Sequence, residues 1–237
     1  MKKIITIQDP KSPIAEAYRG IRTNIEFSNV DKEMKVICIT SSQQNEGKST
    51  IIANIAVSFA NLGKKVLIME GDLRNPSVHR MFGVSNSVGL TDVLLGNKGI
   101  LDCINITDKV KNIHILTCGA VPPNPSEMLS SMKMRKIVDE LKEYYDYIFI
   151  DAPPIGIITD AGIISTFSDG CIFVVSSNEV DIERTKIAKD RLDKVGANIL
   201  GVVLNKFEQD SGNYGYYNYY YYGKDSDIKP NSKRGKK

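Results

Sequence analysis

Short apolar, β-branched runs alternate with helical patterns along most of this chain. The apolar runs predict strands that are buried on both faces. They cover residues 35–40, 65–70, 112–117, 147–151, 170–176 and 199–204. Apolar residues at helical spacing predict helices between several of these runs. The helices cover residues 48–62, 126–144, 159–167 and 181–195. The alternation predicts an α/β fold with a doubly wound, mostly parallel sheet, whose ligand site lies at the carboxyl ends of the strands.

An amphipathic helix is predicted ahead of the sheet, at residues 13–28. Ser12 and Pro13 form its start, and apolar side chains then recur at helical spacing. Residues 77–111 are less regular and are expected to cover one end of the sheet. The predicted organisation is an N-terminal segment at 1–34, an α/β domain at 35–208 and a flexible tail at 209–237.

Composition excludes several classes of protein. Apolar residues make up 42% and charged residues 25%, as in soluble globular proteins, and the net charge of +3 predicts no strong attraction to nucleic acid. No apolar run approaches the roughly 18 to 20 residues of a membrane span, so we expect a cytoplasmic protein. The cysteines lie far apart without metal-type spacing and are expected to be reduced core thiols. They are Cys38, Cys103, Cys118 and Cys171.

A phosphate-binding loop is predicted where the first strand runs into Gly47, Lys48 and Ser49 at the start of a helix. In such a P-loop, backbone N–H groups cradle the phosphates, Lys48 neutralises β/γ charge and the Ser49 hydroxyl ligates Mg²⁺. Asn45 occupies a position often filled by Gly, and Asn tolerates the positive φ that the loop requires. The alternative is a helix start that binds no ligand. The predicted nucleotide-binding residues are Ser42, Gln43, Gln44, Asn45, Glu46, Gly47, Lys48, Ser49 and Thr50.

Polar side chains follow three other strands of the predicted sheet. Glu70 and Asp72 lie at i and i+2 after the second strand, so we expect both to point into the crevice beside the P-loop. Asp151 follows a later strand as a Walker B carboxylate would, acting on the metal through water. The predicted Mg²⁺ ligands are therefore Ser49, Asp72 and Asp151. Asn205 ends the last strand, where it either contacts adenine or forms a simple turn.

The chain also carries a tyrosine cluster. Seven of the nine residues 214–222 are tyrosines, flanked by Gly212 and Gly223 in polar sequence. Strand periodicity would leave half of these rings in water, which favours a displayed tail with hydroxyls that can accept phosphate. The candidate phosphorylation sites are Tyr214, Tyr216, Tyr217, Tyr219, Tyr220, Tyr221 and Tyr222.

The P-loop, a second Walker A element at residues 70–74, Asp151 and the tyrosine cluster together resemble the bacterial tyrosine kinases. The closest resemblance is to the stand-alone cytoplasmic kinase of Gram-positive capsule and exopolysaccharide systems, whose transmembrane activator is a separate protein of the polysaccharide co-polymerase type. This resemblance covers nearly the whole chain. It implies a P-loop NTPase fold of the deviant Walker A group, with ATP and Mg²⁺ as cofactors. The catalytic set that it implies is Lys48, Glu70, Asp72, Arg74 and Asp151.

The resemblance also implies partners and a location. The implied partners are further copies of the chain, the activator, protein tyrosine substrates and a tyrosine phosphatase, at the inner face of the plasma membrane. Glu16, Arg19 and Arg22 match the family's E-x-x-R-x-x-R motif, which is implicated in ring-like self-association. Read locally, they step by three along one helical stripe, where they can pair with a neighbouring subunit or with one another. An exposed charged face is the alternative.

The resemblance further implies autophosphorylation of the tail in trans, and regulation of polysaccharide synthesis and export. A tyrosine hydroxyl with a pKa near 10 is a poor nucleophile, so a carboxylate should accept its proton, and Asp72 is the expected base.

Two rival functions stay open. One is a partition or septum-positioning ATPase, although Gln43 stands where those proteins carry a signature Lys. The other is stacking of the tail on single-stranded nucleic acid, which the absence of arginine between residues 192 and 233 disfavours.

Overall fold

The computed structural model describes residues 4–28, 33–177 and 179–207. The tyrosine cluster at 214–222 and the predicted boundary after residue 208 lie outside these ranges, so both stay predictions.

The described residues form one sheet of seven strands in the order β3-β4-β2-β5-β1-β6-β7. The strands are β1 Val36–Ser41, β2 Val66–Glu70, β3 Ile104–Ile106, β4 Ile113–Leu116, β5 Tyr147–Asp151, β6 Gly170–Ser176 and β7 Ile199–Asn205. All neighbouring pairs are parallel except β3 and β4, which are antiparallel. The mostly parallel sheet is therefore confirmed. The antiparallel edge strand β3 lies inside the segment that showed no regular pattern.

Helices flank the sheet. They are α1 Ile5–Gln8, α2 Pro13–Ser28, α3 Lys48–Ala60, α4 Val78–Phe82, α5 Leu90–Leu95, α6 Pro125–Ser130, α7 Met132–Leu141, α8 Asp160–Ser165 and α9 Ile182–Lys194, with a short 3₁₀ turn at Leu101–Cys103. The helix predicted at 126–144 is divided, because Ser131 is extended and its Oγ accepts the N–H of Met134 to start α7. Within the described ranges, no helix is long and apolar enough to cross a membrane.

Two apolar cores lie on opposite faces of the sheet, as a doubly wound fold requires. On one face α3 supplies Phe59, which packs against the rings of Tyr147 and Phe149 on β5. Tyr18 and Ile25 of α2 belong to the same core, so the helix ahead of the sheet packs onto the domain. Side chains of α6, α7, α8 and α9 fill the other face. The four cysteines are all buried, as predicted for core thiols.

The last strand differs from its prediction. Val202 and Leu204 of β7 are 60% and 54% exposed, so the expectation of burial on both faces is wrong for this strand. The reason is topological: β7 lies at the edge of the sheet and, among the described strands, pairs only with β6.

Candidate active site

The loop between β1 and α3 adopts the conformation that a P-loop requires. Asn45 and Gly47 have φ of 64° and 93°, so the prediction that Asn45 tolerates a positive φ is confirmed. Gly47 precedes the first residue of α3, Lys48. A Cβ on Gly47 would lie 2.2 Å from Asn205 Nδ2, and the residue that carries it would have to adopt a left-handed φ, so glycine is strongly favoured at this position.

The Glu46 side chain braces this loop from inside. Its carboxylate accepts hydrogen bonds from Gln43 N at 2.6 Å, from Ser176 N at 3.0 Å and from Ser42 Oγ at 3.0 Å. Glu46 is only 2% exposed. It was predicted among the nucleotide-binding residues, but its side chain is engaged within the protein and ties the loop to the end of β6.

Asn205 ties the same loop to the end of β7. Its Nδ2 donates to the carbonyl oxygen of Glu46 at 2.7 Å. The simple-turn alternative therefore understates its role, and a contact with adenine stays a prediction.

Ser49 and Asp151 meet at the start of α3. Ser49 Oγ donates to Asp151 Oδ2 at 2.6 Å, and it lies 2.8 Å from Ser77 Oγ. Asp151 is buried at the end of β5. Two of the three predicted metal ligands are thus in direct contact. Ser77 is an additional member of this group that sequence reasoning missed.

Glu70 does not face the crevice as predicted. It is fully buried, and its Oε2 accepts the backbone N–H groups of Ser77 at 2.6 Å and Val78 at 2.9 Å. It stands in register with Asp151 on the neighbouring strand. Burial, together with the charge of Asp151, raises the pKa of Glu70 well above its ordinary value. Glu70 therefore anchors the start of α4 through these two hydrogen bonds.

Asp72 is partly exposed. Its Oδ1 accepts the N–H of Asn75 at 3.0 Å. Burial raises the pKa of Asp72, while the Asn75 hydrogen bond and the charge of Lys48 counteract part of that rise. Asp72 and Lys48 are therefore close enough to interact electrostatically, as a shared site requires.

Arg74 is held by two residues that the sequence reasoning missed. Its Nε donates to Asp160 Oδ2 at 2.8 Å and its Nη2 donates to Ser126 Oγ at 2.8 Å. Ser126 in turn donates to Asp160 Oδ1 at 2.6 Å, and Asp160 is fully buried. The hydrogen bond to Asp160 raises the pKa of Arg74. The Arg74 side chain is still 41% exposed, so part of it faces solvent.

Comparison with known proteins assigns the family. The sequence matches the family described as ParA, NUBPL iron-transfer P-loop NTPase, over residues 32–226. The tyrosine-protein kinase YwqD of Bacillus subtilis is 42% identical over 217 residues, which are 91% of this chain and 91% of that protein. The tyrosine-protein kinase CpsD of Streptococcus agalactiae is 37% identical over 206 residues, which are 86% of this chain and 89% of that protein. This chain belongs to the bacterial tyrosine kinases.

Solved structures agree with that assignment. The kinase is similar to the chimerical protein CapA2B2, with a TM-score of 0.84 and 40% identity over 87% of this chain and 90% of that one. The kinase domain of the Escherichia coli tyrosine kinase ETK gives a TM-score of 0.83 and 29% identity over 90% of this chain and 85% of that one. The septum site-determining protein MinD from Pyrococcus horikoshii, solved with Mg-ADP, gives a TM-score of 0.63 and 30% identity over 75% of this chain and 72% of that one. The kinase is a P-loop NTPase of the ParA and MinD type.

The cysteines of this kinase lie in its interior. All four are buried. In the part of the chain that the structure describes, none belongs to a cluster of three or more His, Cys, Asp or Glu side chains that could hold a metal ion.

The predicted self-association residues of the kinase make contacts within the subunit. Arg19 Nη2 lies 2.6 Å from Glu16 Oε2, so these two pair with one another, which was one of the open alternatives. Arg22 Nη1 donates to the Ser58 carbonyl of α3 at 3.1 Å, and its side chain is only 15% exposed. A role for the three residues in a ring stays a prediction.

The kinase also has a cavity of about 700 Å³ at the amino ends of β2 and β4, opposite the P-loop. His114 Nδ1 and the Tyr145 hydroxyl, 2.8 Å apart, satisfy each other there. Burial raises the pKa of Tyr145 to about 12. No predicted site residue lines this cavity, and the P-loop end of the sheet remains the candidate active site.

Proposed function

We propose that this kinase uses ATP and Mg²⁺ to phosphorylate protein tyrosines, including those of its own cluster at 214–222. The contact of Ser49 with Asp151 at 2.6 Å is the observation that carries the proposal. It couples the P-loop hydroxyl to a carboxylate at the end of β5, the arrangement used for a nucleotide-bound Mg²⁺ in P-loop NTPases.

The residues present fit Mg²⁺, which prefers oxygen ligands. Ser49 and Asp151 offer a hydroxyl and a carboxylate, and Asp72 offers a second carboxylate. The charge of Asp151 helps to raise the pKa of buried Glu70, which indicates a concentration of negative charge that a cation would offset. Bound Mg²⁺ would neutralise charge on the transferring phosphoryl group.

The remaining steps belong to side chains and backbone of this chain. Lys48 and the loop N–H groups would hold the nucleotide phosphates. Asp72 would accept the proton of the attacking tyrosine. The exposed part of Arg74 would stabilise charge that develops on the phosphates.

The tyrosine that enters the site would come from a neighbouring subunit of a ring. The segment from Asp210 to Tyr222 would span at most about 40 Å when fully extended, so the proposal requires a neighbouring active site within that distance. Each phosphate adds about −1.5 to −2 charge at spacings below the roughly 8 Å Debye length. Phosphorylated tails would therefore repel one another and loosen the ring.

In the cell, this cycle would regulate capsular or extracellular polysaccharide synthesis and export. A transmembrane activator would hold the kinase at the inner face of the plasma membrane, and a tyrosine phosphatase would reset the tail. The tyrosine-protein kinase names of YwqD and CpsD support the activity itself.

Incubation with labelled ATP and Mg²⁺, with and without the activator's cytoplasmic segment, tests the proposal. We expect phosphotyrosine on the tail and its loss in Lys48→Met. Lys64→Met is the matched control, because Lys64 is an exposed lysine beyond α3 and should leave the signal unchanged. Similarity to MinD keeps a second function in view: free phosphate without phosphotyrosine, in the presence of the activator segment, would instead support a septum-positioning type of ATPase.

A further inference from the structure

Ser77 contacts both Ser49 of the P-loop helix and Glu70 at the end of β2, and it belongs to none of the motifs described above. Its Oγ is 2.8 Å from Ser49 Oγ, and its backbone N–H donates to Glu70 Oε2 at 2.6 Å. The residue is only partly exposed, immediately ahead of α4. Ser77 thus connects the end of β2 to the first turn of α3.

The proton count at Ser49 determines the direction of the bond between the two serines. A serine hydroxyl has one proton and two acceptor lone pairs, and an ionised carboxylate can only accept. The single proton of Ser49 is used in the 2.6 Å bond to Asp151. Ser77 must therefore be the donor to Ser49, and one lone pair of Ser49 Oγ remains.

We propose that Ser77 is a positioning residue for Ser49: its hydroxyl fixes the rotation of Ser49 Oγ so that the remaining lone pair serves the metal ion. The inference rests on the proposed function, because the metal is the Mg²⁺ of the nucleotide site. Asp151 alone would restrain Ser49 at one point, whereas Asp151 and Ser77 together restrain it at two.

Ser77 can act this way because its own position is fixed. Glu70 is fully buried and accepts the N–H groups of both Ser77 and Val78. The glutamate thereby acts on the metal site indirectly, through the placement of Ser77.

The experiment measures equilibrium binding of a fluorescent ADP analogue, with Mg²⁺ and with EDTA. Ser77→Ala removes the hydroxyl but keeps the N–H that Glu70 accepts. The loss of one hydrogen bond should weaken binding about five-fold with Mg²⁺. Binding in EDTA should not change. Ser77→Thr keeps the hydroxyl and should restore the wild-type affinity.

The matched control is Ser85→Ala, which removes a hydroxyl from an exposed serine pair, Ser85 and Ser87, and should bind as the wild type does. Should Ser77→Ala fail to fold, as judged by thermal unfolding without ligand, Ser77→Cys replaces it, because a thiol is a weak donor.

Unchanged affinity of Ser77→Ala in Mg²⁺, or an equal loss in EDTA, would overturn the role of Ser77. Wild-type binding that is the same with Mg²⁺ and with EDTA would overturn the metal site itself. The two failures are therefore distinguishable.

Discussion

Replacing Glu46 by alanine should cost both stability and nucleotide affinity. The substitution removes the acceptor of three hydrogen bonds, from Ser42 Oγ, Gln43 N and Ser176 N. Ser176 is buried, so its N–H loses its partner without access to water, at about 1 to 3 kcal/mol. The other two bonds contribute about 0.5 to 1.5 kcal/mol each. The sum is about 4 kcal/mol, a large part of the roughly 5 to 15 kcal/mol that stabilises a typical domain.

Urea unfolding without ligand measures this loss. With a slope of about 2 kcal/mol per molar, the midpoint should fall by about 2 M. Glu46→Gln keeps an acceptor and should lose less than Glu46→Ala. Glu33→Ala is the control, because Glu33 is an exposed carboxylate 3.5 Å from Lys35 and such pairs contribute about 0 to 1 kcal/mol. A midpoint for Glu46→Ala within about 0.3 M of the wild type would show that the Glu46 hydrogen bonds do not stabilise the loop.

Three further predictions address the neighbouring contacts. Glu70→Gln should stabilise the ligand-free kinase increasingly as pH rises. Because the pKa of Glu70 is raised in the folded state, the fold is most stable when Glu70 is protonated, and this contribution is lost as pH rises. Glutamine does not ionise, so the variant keeps its stability over the same range. Urea unfolding at about pH 5 and pH 8 checks this, and a gap that is constant or widens toward acid contradicts it. Gly47→Ala should abolish binding of the ADP analogue, because the new Cβ would clash with Asn205 and the φ at this position is left-handed. Adding Asn205→Ala removes the clash and should restore only part of the affinity. Full recovery of the affinity would mean that the left-handed φ causes no strain. Asp160→Asn should lower kcat about ten-fold, because Arg74 loses its buried charged partner. Steady-state kinetics test it, and an unchanged kcat would separate Arg74 from the reaction.

Much of the fold follows from local sequence patterns. The parallel strands and α3 were predictable, because buried strands read as continuous apolar runs and α3 ends near Gly63 after a long apolar stretch. The strand β3 was not, because a three-residue edge strand leaves too short a pattern to separate from a loop. The exposure of β7 depends on strand order, which periodicity does not encode.

The site was predictable where motif and topology coincide. Ser49 and Asp151 come from two segments whose strands end at the same edge of the sheet, and they meet as expected. Asp160 and Ser77 are not predictable from the sequence, since a polar residue at the start of a short helix usually serves the helix end itself. The prediction for Glu70 is wrong because alternation along a strand indicates only the direction of a side chain. It does not indicate which groups the carboxylate contacts, here the N–H groups of Ser77 and Val78.

The central claim is that one subunit's tail is phosphorylated in the active site of another. The direct measurement mixes two variants: Lys48→Met with an intact tail, and an active kinase whose seven cluster tyrosines are phenylalanine, so that only the Lys48→Met chain carries cluster tyrosines. With ATP, Mg²⁺ and the activator segment, the account predicts phosphotyrosine on the tail of the Lys48→Met chain. Absence of that signal, under conditions in which the wild type phosphorylates its own tail, would contradict it.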